Sequence, residues 1–284
     1  MTAPVLAFVD ASPYAASVCD HAAWAATRTG APVTVMHVLG RREAADRHDL
    51  SGAMGLGARS ALLAELAEID ARRARLLAQR GRAILDDAQA ILTRHGVAEV
   101  TTRLRHGDLV ETVTELDATA GLLVIGKRGE AADFARGHLG SNLERLVRAT
   151  TRPVLVASRA FRPVARVLLA HDGGPSAQKA VAHVAHDPLF ADLRIDLVTV
   201  AADTPDIRAR LAEARAPLAA AGRAGDTRIV PGHPDSALGA LVDSDGYDLV
   251  VMGSFGHARL RRMIIGSTTA EMIRACKVPL FLVR

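Results

Sequence analysis

Short runs of consecutive apolar residues alternate with longer amphipathic segments along the whole chain. The runs are continuous rather than alternating, which is typical of strands buried on both faces of a parallel sheet. Strands separated by helices predict right-handed crossovers and therefore an α/β fold. In the C-terminal half the predicted strands are 164–170, 193–200, 227–230, 247–252 and 278–283. The predicted helices of that half are 176–186, 205–221, 235–242 and 267–276.

The N-terminal half repeats the same order of elements. Its predicted strands are 5–9, 33–38, 97–104, 122–125 and 154–157. Its predicted helices are 12–28, 60–92, 109–116 and 141–149. A strand followed by Gly-x-x-Gly occurs at 122–129 and again at 249–256, and a Gly-Ser pair opens a helix at 140–142 and at 266–268. We therefore predict two tandem doubly wound parallel-sheet domains, residues 1–160 and 163–284.

The first domain carries an insertion near residues 40–81. Asp10 and Gly126 are separated by 116 positions, whereas the matching Asp172 and Gly253 are separated by 81, a difference of 35. The segment 49–57 is rich in glycine, and 60–92 is rich in alanine, leucine, arginine and glutamate, which favours a long helix. The insertion is either a solvated amphipathic helix with a loop before it, or a lid or partner surface.

Both halves place a glycine-rich loop between a buried strand and a helix. Glycine allows close approach of the backbone to a ligand, and the N-terminus of a helix offers free N–H groups and a positive dipole to an anion. This context predicts phosphate binding. The loop residues of the second half are Gly253, Gly256, Gly266, Ser267 and Thr268; those of the first half are Gly126, Gly129, Gly140, Ser141 and Asn142.

The two loops differ in length and charge. The second has nine residues between Gly256 and Gly266, including three arginines and no acid. The first has ten between Gly129 and Gly140, and it carries Glu130 and Asp133, which would repel a phosphate unless they point away or hold a metal. We therefore expect the main site in the C-terminal domain.

An aspartate ends the first strand of each half, at Asp10 and Asp172. Ligands of open parallel sheets bind beyond the carboxyl ends of the strands, where such a carboxylate can accept hydrogen bonds from ribose hydroxyls. The end of the second strand, at Val38 and Val200, is placed at the same edge and can meet an adenine ring. Helix N-capping is an alternative role for the aspartates, as an ordinary strand-to-helix turn is for the glycines.

Composition and charge narrow the functional classes. The chain has 35 basic and 31 acidic residues, a net charge of +4, which is too weak to indicate nucleic-acid binding. No apolar run reaches the roughly 18 residues of a membrane span, and no signal peptide is evident. The two cysteines, Cys19 and Cys276, favour a reducing compartment and a buried apolar role. We expect a cytoplasmic protein.

The strand, the Gly-x2-Gly-x9-Gly-Ser loop and the first-strand aspartate together resemble the universal stress protein family, and the resemblance covers nearly the whole chain, twice. It implies Rossmann-like, adenine-nucleotide-binding domains related by a pseudo-twofold axis and packed through their closing strands. It also implies ATP as the ligand, with or without Mg²⁺: the loop residues would hold phosphates, Asp10 and Asp172 would contact ribose, and Val38 and Val200 would contact adenine.

Three functions remain open at this point. The first is an ATP-binding regulatory or stress-response protein, and the second is a slow ATPase, for which no general base is obvious in the sequence. The third is a nucleotide-free scaffold whose tandem domains form an intramolecular pseudo-dimer and whose insertion recruits an unknown protein partner. A homodimer of the whole chain is a further option. No set of metal ligands is evident from the spacing of the histidines and acids.

Overall fold

The computed structural model describes residues 2–40, 56–129, 141–254 and 267–284. The strands are β1 Val5–Phe8, β2 Val33–Gly40, β3 Val100–Gly107, β4 Leu122–Gly126, β5 Val154–Ala157, β6 Arg166–Ala170, β7 Arg194–Val200, β8 Ala224–Val230, β9 Leu249–Gly253 and β10 Leu280–Val283. The helices are α1 Ala15–Thr29, α2 Leu56–Arg94, α3 Leu109–Leu116, α4 Ser141–Ala149, α5 Pro175–His186, α6 Pro205–Ala220, α7 Pro234–Asp245 and α8 Ser267–Ala275. A short 3₁₀ helix spans Pro188–Phe190.

The described strands form one sheet of ten, in the order β3-β2-β1-β4-β5-β10-β9-β6-β7-β8. Each half of the sheet is parallel and has the same internal order, with its topological switch between the first and fourth strands. The predicted pair of doubly wound α/β domains is confirmed. Helices cover both faces, and each face has its own buried cluster of aliphatic side chains.

The closing strands of the two halves join the domains. Strand β5 pairs with β10 in antiparallel register, with Phe281 opposite Leu155, and both strands are completely buried. The prediction that the domains pack through these strands is confirmed. The physical cause is the apolar edge that each half would otherwise expose to water.

The sequence analysis placed several element boundaries wrongly. The first helix begins at Ala15 rather than at residue 12, because the backbone N–H of Ser12 donates to the Asp10 carboxylate in a turn before the helix. Strand β3 begins at Val100 rather than at residue 97. Gly96, with a positive φ of 77°, ends α2, and the N–H of Val97 bonds back to Leu92 O, so Val97 belongs to the helix cap.

Both cysteine thiols are buried, and burial raises the pKa of each. Cys19 lies in α1 and is 1% exposed, and burial, with a smaller contribution from Asp20, raises the pKa of its thiol to about 12. Cys276 is also buried, and burial likewise raises its pKa. Each thiol is therefore neutral at physiological pH and packs as a small apolar side chain, as the sequence analysis expected.

Candidate functional site

A cavity of about 240 Å³ opens at the carboxyl ends of strands β6, β7 and β9 in the second domain. This is the switch point of that half of the sheet, where open α/β folds form their ligand crevices. Strands β6 and β7 form its floor, and the first turns of α7 and α8 form its sides. Its described lining residues are Ala170, His171, Asp172, Val198, Val200, Pro234, Leu238, Met252, Gly253, Ser267, Thr268 and Thr269.

Hydrogen bonds fix the strand ends beneath the cavity. The N–H of His171 donates to Val198 O at 2.8 Å, and the Thr199 hydroxyl donates to His171 O at 2.8 Å. The first domain has an imidazole where the second has a hydroxyl: His37 stands at the position of Thr199, and its Nδ1 contacts Val9 O at 2.8 Å. In each domain the first and second strands, which carry the candidate ribose and adenine contacts, are therefore joined by a side-chain contact in addition to their backbone pairing.

Asp172 sits at the rim of the cavity and shapes the turn before α5. Its Oδ1 accepts from the N–H of Gly174 at 2.8 Å, and Gly173 between them has a φ of 79°, which favours glycine. Gly174, not Asp172, is the N-cap residue of α5. Asp10 accepts from Ser12 N at 3.0 Å in the same way. The carboxylate is thus held in place by the turn rather than acting as the helix cap.

The first glycine of each loop is required by packing. A Cβ on Gly253 would lie 2.7 Å from Ser176 Cβ and 2.9 Å from Ala177 N, at the start of α5. A Cβ on Gly126 would lie 2.7 Å from Tyr14 Cβ, next to α1. At these two positions the end of the strand passes too close to a helix for any side chain. Glycine is therefore needed there for the strand-to-helix turn itself, which is the alternative role considered for the loop glycines.

Helix α8 directs its N-terminus at the cavity. Ser267 and Thr268 are its first two residues and line the cavity, and the Thr269 hydroxyl donates to Gly253 O at 3.3 Å. This bond ties the start of the helix to the end of β9. The first turn of a helix has N–H groups without intrahelical acceptors, and such an N-terminus favours anions in general.

The structure brings five predicted site residues of the second domain around one cavity: Asp172, Val200, Gly253, Ser267 and Thr268. Gly256 and Gly266 lie outside the described residues. In the first domain Asp10 and Gly129 are neighbours, since a Cβ on Gly129 would lie 2.8 Å from Asp10 Oδ2. Gly126 ends β4 and Val38 lies near the end of β2, and these two strands flank β1. Ser141 and Asn142 begin α4, and Gly140 lies outside the described residues.

Larger side chains stand at the first domain's matching positions. In the paired register, Phe8 lies opposite Met36 in the first domain, and Ala170 lies opposite Val198 in the second. Phe8 and Met36 are 6% and 0% exposed, so both are packed into the interior. The matching strand positions thus carry a phenyl ring and a thioether in the first domain, and the smaller alanine and valine side chains in the second.

The sequence analysis missed the contribution of α7. Pro234 and Leu238 line the cavity, and Gly232 just before them has a φ of 120°. The first domain has Gly107 with a φ of 133° at the matching strand-to-helix junction, 125 positions earlier. This repeated glycine is the signal that would have placed a third junction at the site.

Two negative findings concern only the part of the chain that the structure describes. In those ranges, no helix combines the length and apolar character needed to cross a membrane. Nor do three or more His, Cys, Asp or Glu side chains within them gather closely enough to hold a metal ion.

The fold and the cavity define an α/β protein of the doubly wound class, with an open cavity at the switch point of its second domain. The family model described as "Universal stress protein family" matches residues 1–158 and again 163–284. Universal stress protein Slr1230 of Synechocystis sp. is 34% identical over 284 residues, covering 99% of both chains. The chain therefore belongs to the universal stress protein family, as a tandem of two family domains, and the predicted resemblance is confirmed.

Two further comparisons agree with this assignment. A universal stress protein of Mycolicibacterium smegmatis is 26% identical over 304 residues, covering 99% of this chain and 96% of the relative. The crystal structure of a universal stress protein from Archaeoglobus fulgidus superposes with a TM-score of 0.73 at 20% identity, covering 99% of this chain and 98% of that one. The second comparison supports the fold.

Proposed function

We propose that this tandem universal stress protein is an ATP-binding regulatory protein whose main nucleotide site is the cavity of the C-terminal domain. The observation that carries the proposal is the convergence of Asp172, Val200, Gly253, Ser267 and Thr268, which are far apart in sequence, on one cavity. Membership of the universal stress protein family supports the stress-response part of the proposal.

The chemistry of the cavity wall fits each part of an adenine nucleotide. Val198, Val200, Leu238 and Met252 offer apolar surface to a planar base. Asp172 at the rim is an acceptor for ribose hydroxyls. The phosphates then fall at the N-terminus of α8, and the sequence between Gly253 and Ser267 adds positive charge without an acid.

The first domain is the weaker candidate in this account. Phe8 and Met36 take the space that the base would need against the floor of the sheet. The loop after Gly129 also carries two acids in its sequence. We therefore propose that ATP binds to the second domain first and most tightly, with Mg²⁺ arriving on the phosphates rather than on a protein site.

We propose a regulatory ligand rather than a substrate. Asp172 is the one carboxylate among the described residues that line the cavity, and its Oδ1 already accepts the N–H of Gly174. A general base for water attack needs a free acceptor close to the γ-phosphate. An ATP turnover assay with Mg²⁺ distinguishes the two, since sustained hydrolysis that the cavity variant below abolishes would make the protein an ATPase.

Replacing Ala170 by phenylalanine tests the proposed site. The change gives the second domain the side chain that the first domain carries at the matching strand position, so the strand accommodates it while the cavity fills. We expect the free energy of ATP binding to weaken by about 1–3 kcal/mol. Equilibrium dialysis against labelled ATP measures the loss, with thermal melts as the check on folding.

Ala165→Phe is the matched control, because it makes the same substitution at an exposed position directly before β6, at the opposite end of the strand from Ala170. It should leave ATP binding unchanged. A folded Ala170→Phe protein that binds ATP as tightly as the wild type would place the nucleotide elsewhere. A wild type that binds no adenine nucleotide would leave the scaffold function as the better account.

A further inference from the structure

Helix α2 leaves the body of the first domain halfway along its length. Its C-terminal part packs on β2 and β3 through Gly81, Leu85, Ala88 and Leu92, all of which are buried. At Gly81 the fit is tight, since a Cβ there would lie 2.7 Å from Leu104 Cδ1 and 2.9 Å from His37 Cδ2. His37 and Leu104 lie near the carboxyl ends of their strands, so the helix before Gly81 extends past that edge of the sheet.

The projecting part, residues 63–80, carries unusual apolar surface. Leu63, Ile69 and Leu76 are 50%, 55% and 58% exposed, and they are the exposed large apolar side chains found among the described residues. Leu66 and Leu77 on the same segment are half-buried. At 100° per residue these five side chains lie within one face about 140° wide, along roughly 21 Å of helix, and Asp70, Arg73 and Arg80 share that face. A helix face of this width normally packs against a partner.

The charges of the same segment divide into two halves. Residues 63–71 carry the acids Glu65, Glu68 and Asp70 and no base. Residues 72–80 carry four arginines, at 72, 73, 75 and 80, and no acid. On the face of the apolar side chains the charges are Asp70 in the first half and Arg73 and Arg80 in the second, and a second copy laid antiparallel places Asp70 along the basic half. A parallel copy places like charges side by side, which is unfavourable.

We propose that residues 63–80 of α2 form an antiparallel two-helix interface with the same residues of a second copy of this chain. A twofold axis between Ala71 and Arg72 sets Asp70 beside Arg73 of the second copy, and Leu66 beside its Leu77. The apolar face of each copy is then covered by the other. The charge pattern favours this occupant because the segment is complementary to itself.

The sheet supports the use of this surface for assembly. The closing strands β5 and β10 pair with each other inside the chain and are completely buried. A second copy therefore cannot use these strands, which leaves other surfaces for association. The projecting helix supplies one, and it lies beyond the first domain rather than at the cavity of the second, so association does not require nucleotide.

The test is the oligomeric state of the full chain by sedimentation equilibrium, with and without ATP. We expect a monomer–dimer equilibrium for the wild type. Ile69→Glu combined with Leu76→Glu should raise the dimer dissociation constant by about 100-fold or more, since the interface would bury unpaired carboxylates. Ala64→Glu combined with Ala71→Glu is the matched control, because it adds the same charges at the same seven-residue spacing on the opposite face.

A charge-reversal pair tests whether the two charges at the centre of the interface carry the association. One variant replaces Asp70 by arginine, and the other replaces Arg73 by glutamate. Each alone should be monomeric, and an equimolar mixture should form a heterodimer. A wild type that stays monomeric at every protein concentration, or a dimer that survives Ile69→Glu with Leu76→Glu, would overturn the proposal. Two reversed variants that each still dimerise would also overturn it.

Discussion

Replacing Gly266 by valine is expected to weaken ATP binding by about 2–4 kcal/mol, a loss of roughly 30-fold to 1,000-fold. Gly266 directly precedes Ser267, the first residue of α8 and part of the cavity wall. A branched side chain at this position would keep phosphates away from the N–H groups of the first helical turn. The bonds lost are charge-assisted, which makes them stronger than ordinary hydrogen bonds.

Gly140→Val is the matched control for this prediction. Gly140 precedes Ser141, the first residue of α4, as Gly266 precedes α8. The same change in the first domain should cost much less binding energy. ATP titrations of both variants, with thermal melts to confirm folding, provide the comparison. If Gly140→Val abolishes binding and Gly266→Val does not, the main site belongs to the first domain.

Replacing Asp196 by alanine is expected to lower the free energy of unfolding by about 3 kcal/mol. Asp196 lies in β7 with 0% exposure. Its Oδ2 accepts from Arg166 at 2.7 Å and from the Tyr247 hydroxyl at 3.0 Å, and its Oδ1 accepts from Asp226 N at 2.9 Å and from Arg194 at 3.2 Å. Alanine would leave these donors without their acceptor.

The stability that Asp196 contributes should depend on pH. Burial raises the pKa of its carboxyl, but the Asp226 N–H and the side chains of Arg166, Tyr247 and Arg194 outweigh burial and hold the pKa below its usual value. Asp196 therefore contributes its full stabilisation at pH values above the ordinary carboxyl pKa of about 4. The stabilisation is lost as the pH falls through the lowered pKa that Asp196 has in the folded protein. Urea unfolding at several pH values should show the gap between wild type and Asp196→Ala narrowing in acid.

Asp226→Ala is the control for the Asp196 experiment. The Asp226 carboxylate pairs with Arg194 at 2.6 Å, but its side chain is 66% exposed. Exposed ion pairs contribute less than about 1 kcal/mol. Equal losses for the two variants would show that burial of Asp196 adds nothing, which would contradict the account.

The sequence predicts the fold because its information is local and repeated. Apolar runs define the strands, and the recurrence of Gly-x-x-Gly and Gly-Ser shows that the second half has the architecture of the first. The pairing of β5 with β10 follows from the apolar edge that each domain would leave exposed. Boundaries were harder, because Gly96 and Asp10 act through backbone geometry that a hydropathy pattern does not contain.

The site was only partly accessible from sequence. Asp172, Val200 and the Gly-Ser pair were found because they follow strands or open a helix. Pro234 and Leu238 were missed, since α7 reaches the cavity through a junction whose only sequence signal is Gly232. The partners of Asp196 come from β6, β8 and the turn before β9, and no spacing along the chain reveals that they meet.

The contrast between Phe8 and Ala170 is a second feature of the site that could not be predicted from the sequence alone. Both residues are visible in the aligned repeats, 162 positions apart. Only the register of the sheet shows that each stands opposite the second strand at the floor of the site. The difference in volume between the two domains therefore needed the structure.

The most direct test of the central claim is the stoichiometry of ATP binding by titration calorimetry on a matched pair of variants. Val200 ends β7, Val38 is the matching residue near the end of β2, 162 positions earlier, and both are half-buried. The account predicts that Val200→Phe removes the tight ATP site, whereas Val38→Phe retains one tight ATP per chain, as in the wild type. Loss of the tight site in a folded Val38→Phe protein, with binding intact in Val200→Phe, would contradict it.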